Sequence, residues 1–215
     1  MEAGQPERVG VRALRRGDFG EVARVAYATG FFGETAARYF PDRALFADLW
    51  ARPYFVGEPF GFAAEREGQV LGYIIGTPDG GEYRRAFARV LLGVLGRAVR
   101  GQYPRLGGSL PYLLRLARFS APHAPERLFP AHLHLNLLPE SRGLGLGGAL
   151  LDAYLAALRA RGVRGLQLST TAENRAAVAL YDKRGLRVWE ARESRLWQPW
   201  LGRPTTHLVM ARLLD

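Results

Sequence analysis

Apolar and polar positions along the chain follow two different periods, and their alternation outlines the fold. Residues 131–138 alternate: leucines at 133, 135 and 137 are interleaved with His132, His134 and Asn136, the period-two pattern of a strand with unlike faces. From Gly143 to Arg161 the period changes. Ala149, Leu150, Ala153, Tyr154, Ala157 and Leu158 fall on one helical face, and Gly162 marks the stop. A strand at Gly165–Thr171, a helix at Asn174–Arg184 closed by Gly185, and strands at Leu186–Glu193 and His207–Leu213 complete this half. Strand and helix in alternation predict an α/β mixed sheet with parallel pairing at its centre and helices on both faces.

The first half reads differently. Val9–Leu14 is a short strand, and Asp18 is placed to cap a helix reaching about Ala28, with Phe19, Val22, Val25 and Ala26 on its apolar side. A second helix spans roughly Pro41–Arg52. Gly61–Arg66 and Gln69–Thr77 form a hairpin across Glu67-Gly68. Two further apolar stripes, from Ala86 to Ala98 and from Leu110 to Phe119, are broken at Gly101 and Pro104 and predict an inserted helical pair. No repeat or low-complexity linker divides the chain, so residues 1–215 read as one domain with a helical insertion at about 81–127.

Composition narrows the chemistry. The 215 residues include no cysteine, which excludes a disulfide framework, a Cys-ligated metal site and a cysteine acyl-enzyme. No apolar run approaches the ~18 residues of a membrane span, and the start lacks a signal-peptide pattern, so a soluble cytoplasmic protein is expected. The formal net charge is +10, carried by 30 Lys+Arg of which only Lys183 is lysine. Arginines 84, 85, 89, 97, 100, 105, 115, 118 and 127 concentrate it in the insertion. Such charge favours an anionic partner, but no nucleic-acid-binding motif accompanies it.

The run Arg142-Gly-Leu-Gly-Leu-Gly-Gly148 joins the 131–138 strand to the next helix. Glycines let backbone N–H groups approach a ligand, and a helix N-terminus adds unpaired donors, so this turn suits a pyrophosphate. Gly143, Gly145 and Gly148 satisfy G-x-G-x-x-G, but the acidic residue expected about 20 positions later falls near Leu168, which argues against a dinucleotide site.

Arg142-x-x-Gly145-x-Gly147, preceded by Leu-Pro-Glu-Ser, resembles the acyl-CoA signature of the GCN5-related N-acetyltransferase (GNAT) superfamily. Asn174-x-x-Ala177-x-x-Leu180-Tyr181-x-x-x-Gly185-Leu186 resembles that family's second motif, with Leu186 in place of the usual Phe. The likeness is specific over about 131–190. Within the superfamily, Pro-Ala-His-Leu-His-Leu-Asn-Leu-Leu-Pro-Glu is most similar to the acetyltransferase-like domain of O-GlcNAcases and its bacterial relatives.

The resemblance implies a GNAT-like fold with splayed parallel strands and acetyl-CoA as co-substrate, without a metal. It implies that backbone groups of Leu135, Asn136 and Leu137 meet the thioester and pantetheine, and that Arg142, Gly143, Leu144, Gly145, Leu146, Gly147 and Gly148 hold the pyrophosphate. Asn174 would contact the cofactor arm, and Tyr181 would protonate the thiolate. The base is open: Ser169 stands where many relatives carry glutamate, and His132 and His134, on one strand face, are the candidates. These residues equally suit plain structural roles, Tyr181 as a core aromatic, Asn174 as a helix cap and the histidines beneath helices. Asn136 could orient a substrate and Glu140 cap the loop. His-x-His has no third metal ligand near it.

The expected activity is transfer of an acetyl group from acetyl-CoA to a primary amine of a small molecule or peptide, by direct attack. The alternative is a catalytically silent acetyl-CoA-binding sensor or interaction domain. The insertion is a lid whose arginines meet an acidic acceptor, or a dimerisation element; Trp189, Trp197 and Trp200 line the same pocket or complete the core.

Overall fold

The computed structural model describes residues 9–214. Its seven strands are β1 (Gly10–Ala13), β2 (Phe60–Arg66), β3 (Gln69–Thr77), β4 (Ala131–Leu137), β5 (Gly165–Thr171), β6 (Arg187–Ser194) and β7 (Thr205–Leu213). They form one sheet in the order β1-β2-β3-β4-β5-β7-β6. Every neighbouring pair is antiparallel except β4–β5.

That parallel pair is nearly open. Only Ala131 and His132 pair with Leu166 and Gln167. Beyond them β4 stays bonded to β3 as far as Gly72↔Leu137, while β5 stays bonded to β7 as far as Thr171↔His207. Each strand follows its antiparallel partner, so the two part like a wedge. The Leu138 N–H donates to Leu71 O at 2.9 Å. Since backbone groups alternate sides along a strand, Leu133, Leu135 and Leu137 turn theirs toward the gap.

Two apolar layers cover the sheet. On one side α5 (Leu146–Ala160) and α6 (Arg175–Lys183) bury Leu150, Leu151, Tyr154, Leu158 and Tyr181 against Leu133, Leu166, Leu168 and Met210. On the other lie α1 (Phe19–Thr29), α2 (Arg43–Phe46), α3 (Gly80–Val99) and α4 (Leu106–Arg118). A short α7 (Gln198–Leu201), which the sequence pattern did not reveal, packs here too.

Several boundaries shift for local reasons. Asp18 makes no side-chain cap for α1; its carboxylate instead accepts from the Arg15 N–H and the Arg12 guanidinium. The 41–52 helix is only one α-turn, which runs on into a π-turn at Ala47–Ala51 and a 3-10 turn at Arg52–Phe55, where Pro53 enters. α5 starts at Leu146 rather than Gly143, because Gly143 and Gly145 adopt φ of 77° and 76° and belong to the turn.

The insertion is docked by two buried carboxylates on the α2 side. Asp42 accepts from the N–H groups of Leu45 and Arg105, both at 2.9 Å, and Asp48 takes the Tyr103 hydroxyl at 2.7 Å and Arg97 at 2.9 Å. Its outer surface leaves Leu92, Leu95, Val99 and Leu114 exposed. No helix among the described residues is long and apolar enough to cross a membrane.

Candidate active site

The gap between β4 and β5 opens onto the glycine turn at one end. After Leu138 the chain makes a 3-10 turn (Pro139–Ser141) whose Ser141 hydroxyl is buried between the carbonyls of Leu71 and Leu138, at 3.1 and 2.7 Å. The left-handed Gly143 and Gly145 then turn the backbone into α5. Gly145 is the N-cap and supplies no side-chain acceptor, and the first helical bond runs from Ala149 N–H to Gly145 O at 3.1 Å. The N–H groups of Leu146, Gly147 and Gly148 therefore remain free at the positive end of the helix dipole. Side chains would crowd this start: a Cβ on Gly147 would lie 3.3 Å from Leu180 and 3.4 Å from Leu137, and one on Gly148 would collide with the Arg184 guanidinium.

Arg142 does not point at this cradle. Its guanidinium donates to Gly33 O at 2.6 Å and Leu137 O at 3.3 Å, tying the loop after α1 to the end of β4. Glu140 is exposed in the 3-10 turn, and Leu144 is exposed at the tip of the glycine turn. Asn174 caps α6, its side-chain oxygen accepting from Ala177 N–H at 3.4 Å. Tyr181 is buried within the α5–α6 layer, and its hydroxyl has no hydrogen-bond partner among the described residues. Burial pushes its pKa well above the usual phenol value.

On the opposite face of the sheet lies a cavity of about 320 Å³. His134, Asn136, Ser169 and Thr171 form its floor; α1, the α2 segment, α4 and the 196–197 turn wall it. The His134 ring is exposed to this space, and desolvation by the protein around it lowers its pKa to about 4. Asn136 is committed elsewhere: its amide donates to the Thr29 hydroxyl at 2.8 Å and its oxygen accepts from the Tyr73 hydroxyl at 3.1 Å. His132 shares the face of His134 but not the cavity. Its Nε2 is hydrogen-bonded to the Tyr54 hydroxyl at 2.9 Å and its ring packs edge-on to Tyr83, with centroids 4.7 Å apart. Burial, reinforced by His134 and His123, drops its pKa to about 3.

The arginines of the insertion do not converge on the cavity. Arg97 pairs with Asp48, Arg84 with Glu126, and Arg115 donates to Leu196 O at 2.8 Å and also to Arg195 O. What the insertion supplies is Tyr112, Leu116 and Ala121. Of the three tryptophans singled out, Trp197 lines the cavity, Trp200 packs behind it at 6.1 Å between centroids, and Trp189 lies half-exposed against Phe129. His207 also lines the cavity, and its buried Nε2 has no partner. Nothing in the sequence pointed to it; only the pairing of β7 with β5 places it beside Thr171. No cluster of three or more metal-binding side chains occurs among the described residues.

The opened parallel pair and the uncapped glycine turn lie within a stretch that matches a known family. Residues 123–186 match the model of the acetyltransferase (GNAT) family. The fold is that of the GNAT acetyltransferases. A crystal structure of SsHAT superposes with a TM-score of 0.67 at 26% identity, covering 98% of this chain and 100% of that one. The GNAT fold is shared with yncA of Salmonella typhimurium, solved with its cofactor acetyl-CoA, at a TM-score of 0.57 and 16% identity, covering 97% of this chain and 95% of that one. Among curated sequences, the mycothiol acetyltransferase of Paenarthrobacter aurescens (strain TC1) is 43% identical over 56 residues. The matched stretch is 26% of this chain and 17% of that relative.

Proposed function

We propose that the protein transfers the acetyl group of acetyl-CoA to a primary amine by direct attack, with no acyl-enzyme. One observation carries this reading: a single gap between β4 and β5 has the free N–H groups of the glycine turn at its end and an aromatic-walled cavity on one face. When bound, acetyl-CoA supplies an acyl group activated by a thiolate leaving group. The backbone of Leu133 and Leu135 and the N–H of Leu137 offer its amide arm a strand edge to extend. The N–H groups of residues 146–148, on the turn shaped by Gly143 and Gly145, hold its diphosphate. Asn174 spends its oxygen on the α6 cap and keeps its amide N–H groups for the arm.

Tyr181 holds its proton at Oη throughout the neutral range and donates it to the departing sulfur. His134 is neutral above about pH 4 and accepts the proton of the attacking amine. His132, bonded to Tyr54, positions the base of β4 instead. The mycothiol acetyltransferase named above matches too short a stretch to carry its acceptor over. The narrower likeness to the O-GlcNAcase-associated domain rests on the run from 130 to 140. The apolar outer surface of α3 and α4 supports a contact between two copies of the chain.

Calorimetry with acetyl-CoA, followed by thiol release in the presence of a panel of amines, tests the proposal. Binding with amine-dependent thiol release is expected; absence of binding overturns it. Binding without release from any amine selects the silent acetyl-CoA sensor, a reading favoured by Ser169 in place of a carboxylate and by the weak basicity of His134.

A further inference from the structure

We infer that the acceptor is an aryl-alkyl primary amine, a flat apolar body carrying one amino head and no other charge. This rests on the cavity being the acceptor side of the acetyltransferase proposed above.

The first argument is charge. Among the described residues, no Asp, Glu, Lys or Arg lines the cavity. The tyrosines on its walls offer no phenolate either, since burial raises the pKa of Tyr39, Tyr73 and Tyr112. A carboxylate or a second ammonium on the acceptor would lose hydration there and find no counter-charge. None of the insertion's arginines lines this space, and Arg84, Arg97 and Arg115 are taken up by partners outside it, which argues against an acidic acceptor.

The second argument is shape. The walls carry Phe32, Tyr39, Phe46, Trp50, Tyr112 and Trp197. Tyr39 lies 4.4 Å from Tyr112 and 4.9 Å from Trp197, and Tyr112 lies 5.2 Å from Trp197. Phe46 stacks on Trp50 at 5.0 Å with an interplanar angle of 4°. These rings come from separate segments and brace one another, so the wall is formed before a ligand arrives, and it favours another ring. Two wall hydroxyls are already spent, Tyr39 on Gly30 O at 3.2 Å and Tyr73 on Asn136, so the polar partners left to a ligand lie mainly on the floor. At about 320 Å³ the space sits at the small end for a ligand pocket, enough for one or two fused rings.

Polarity at one end supplies the third argument. Neutral polar groups gather on the sheet floor beside the gap, where His134, Ser169, Thr171 and His207 face the cavity. These groups can accept from or donate to an amino head without asking it for a second charge.

The test uses the full chain with acetyl-CoA and reads thiol release for 2-phenylethylamine and tryptamine against glutamate, spermidine and glucosamine. The aryl amines are expected to exceed the others by at least about tenfold in kcat/KM, the ratio that about 1.4 kcal/mol of differential binding produces. Quenching of tryptophan fluorescence by 2-phenylethylamine in the CoA-bound protein gives a readout independent of turnover, since Trp50 and Trp197 line the cavity. Trp197→Ala is expected to raise KM for 2-phenylethylamine about tenfold or more while acetyl-CoA still raises the melting temperature. Leu116→Arg, which sets a charge in the wall, is expected to do the same. A preference for an acidic, polycationic or sugar amine overturns the inference and leaves acetyl transfer standing. Fluorescence response to 2-phenylethylamine without thiol release from any amine upholds the ligand class and overturns transfer. Failure to bind acetyl-CoA removes both.

Discussion

Gly145 and Gly162 make a matched pair of perturbations at opposite ends of one helix. Gly145 precedes α5 with φ of 76°, and Gly162 follows it with φ of 65°. At neither would an added Cβ meet another atom within 4 Å, so alanine brings backbone strain and no collision. A left-handed alanine costs about 1–2 kcal/mol relative to glycine. For a chain of this size that lowers the melting temperature of Gly162→Ala by roughly 2–8 °C, and that of Gly145→Ala by as much only where its free turn keeps the strained path. Only Gly145, however, shapes the turn that offers free N–H groups to a diphosphate. Strain that the free turn of Gly145→Ala relieves by relaxing is spared from the melting temperature but must be restored on binding, so full relaxation raises the dissociation constant of acetyl-CoA about 5- to 30-fold for the same 1–2 kcal/mol. Gly162→Ala leaves affinity unchanged. Differential scanning fluorimetry measures the first quantity and isothermal titration calorimetry the second. Unchanged affinity together with an unchanged melting temperature in Gly145→Ala, or an affinity loss confined to Gly162→Ala, would refute the assignment of the turn.

Other consequences can be measured in the same way. Tyr181→Phe removes the one hydroxyl proposed to meet the departing sulfur, and kcat is expected to fall about 10²-fold or more with acetyl-CoA affinity intact; an unchanged kcat returns Tyr181 to a core role. His132 has a folded-state pKa of about 3 against an ordinary 6.5, so below pH 6.5 the unfolded chain takes up a proton that the folded chain refuses. Stability is thus unaffected above pH 6.5 and declines as pH falls toward the folded value, by about 2 kcal/mol at pH 5 from this group. Urea unfolding of His132→Gln at pH 7 and pH 5 should show a pH loss smaller than the parent protein's by that amount; parallel losses would contradict it. Asn136→Ala leaves the Tyr73 hydroxyl without its acceptor in a buried setting, and a destabilisation of about 1–3 kcal/mol is expected from the urea midpoint. A neutral effect would mean that solvent replaces the lost partner.

The order of strands and helices is determined by the sequence because periodicity is local: each apolar face must be covered, and its spacing states which element carries it. The diphosphate turn is legible for a related reason. Its chemistry belongs to the backbone, and only glycines at 143 and 145 allow that backbone path. The same glycine run blurs where α5 begins, since glycine is compatible with turn and helix alike. What tertiary structure alone decides is who meets whom. His132 and His134 are equivalent by alternation, and they differ only because Tyr54, from the turn after α2, reaches one and bonds it. The cavity draws on residues from Val22 to His207, with no pattern linking them in the chain. The arginines of the insertion show their charge in composition but not their partners: Asp48 takes up Arg97, and the carbonyls at 195–196 take up Arg115. Charge and periodicity are properties of single positions; enclosure and pairing are properties of distances, which exist only once the chain has folded.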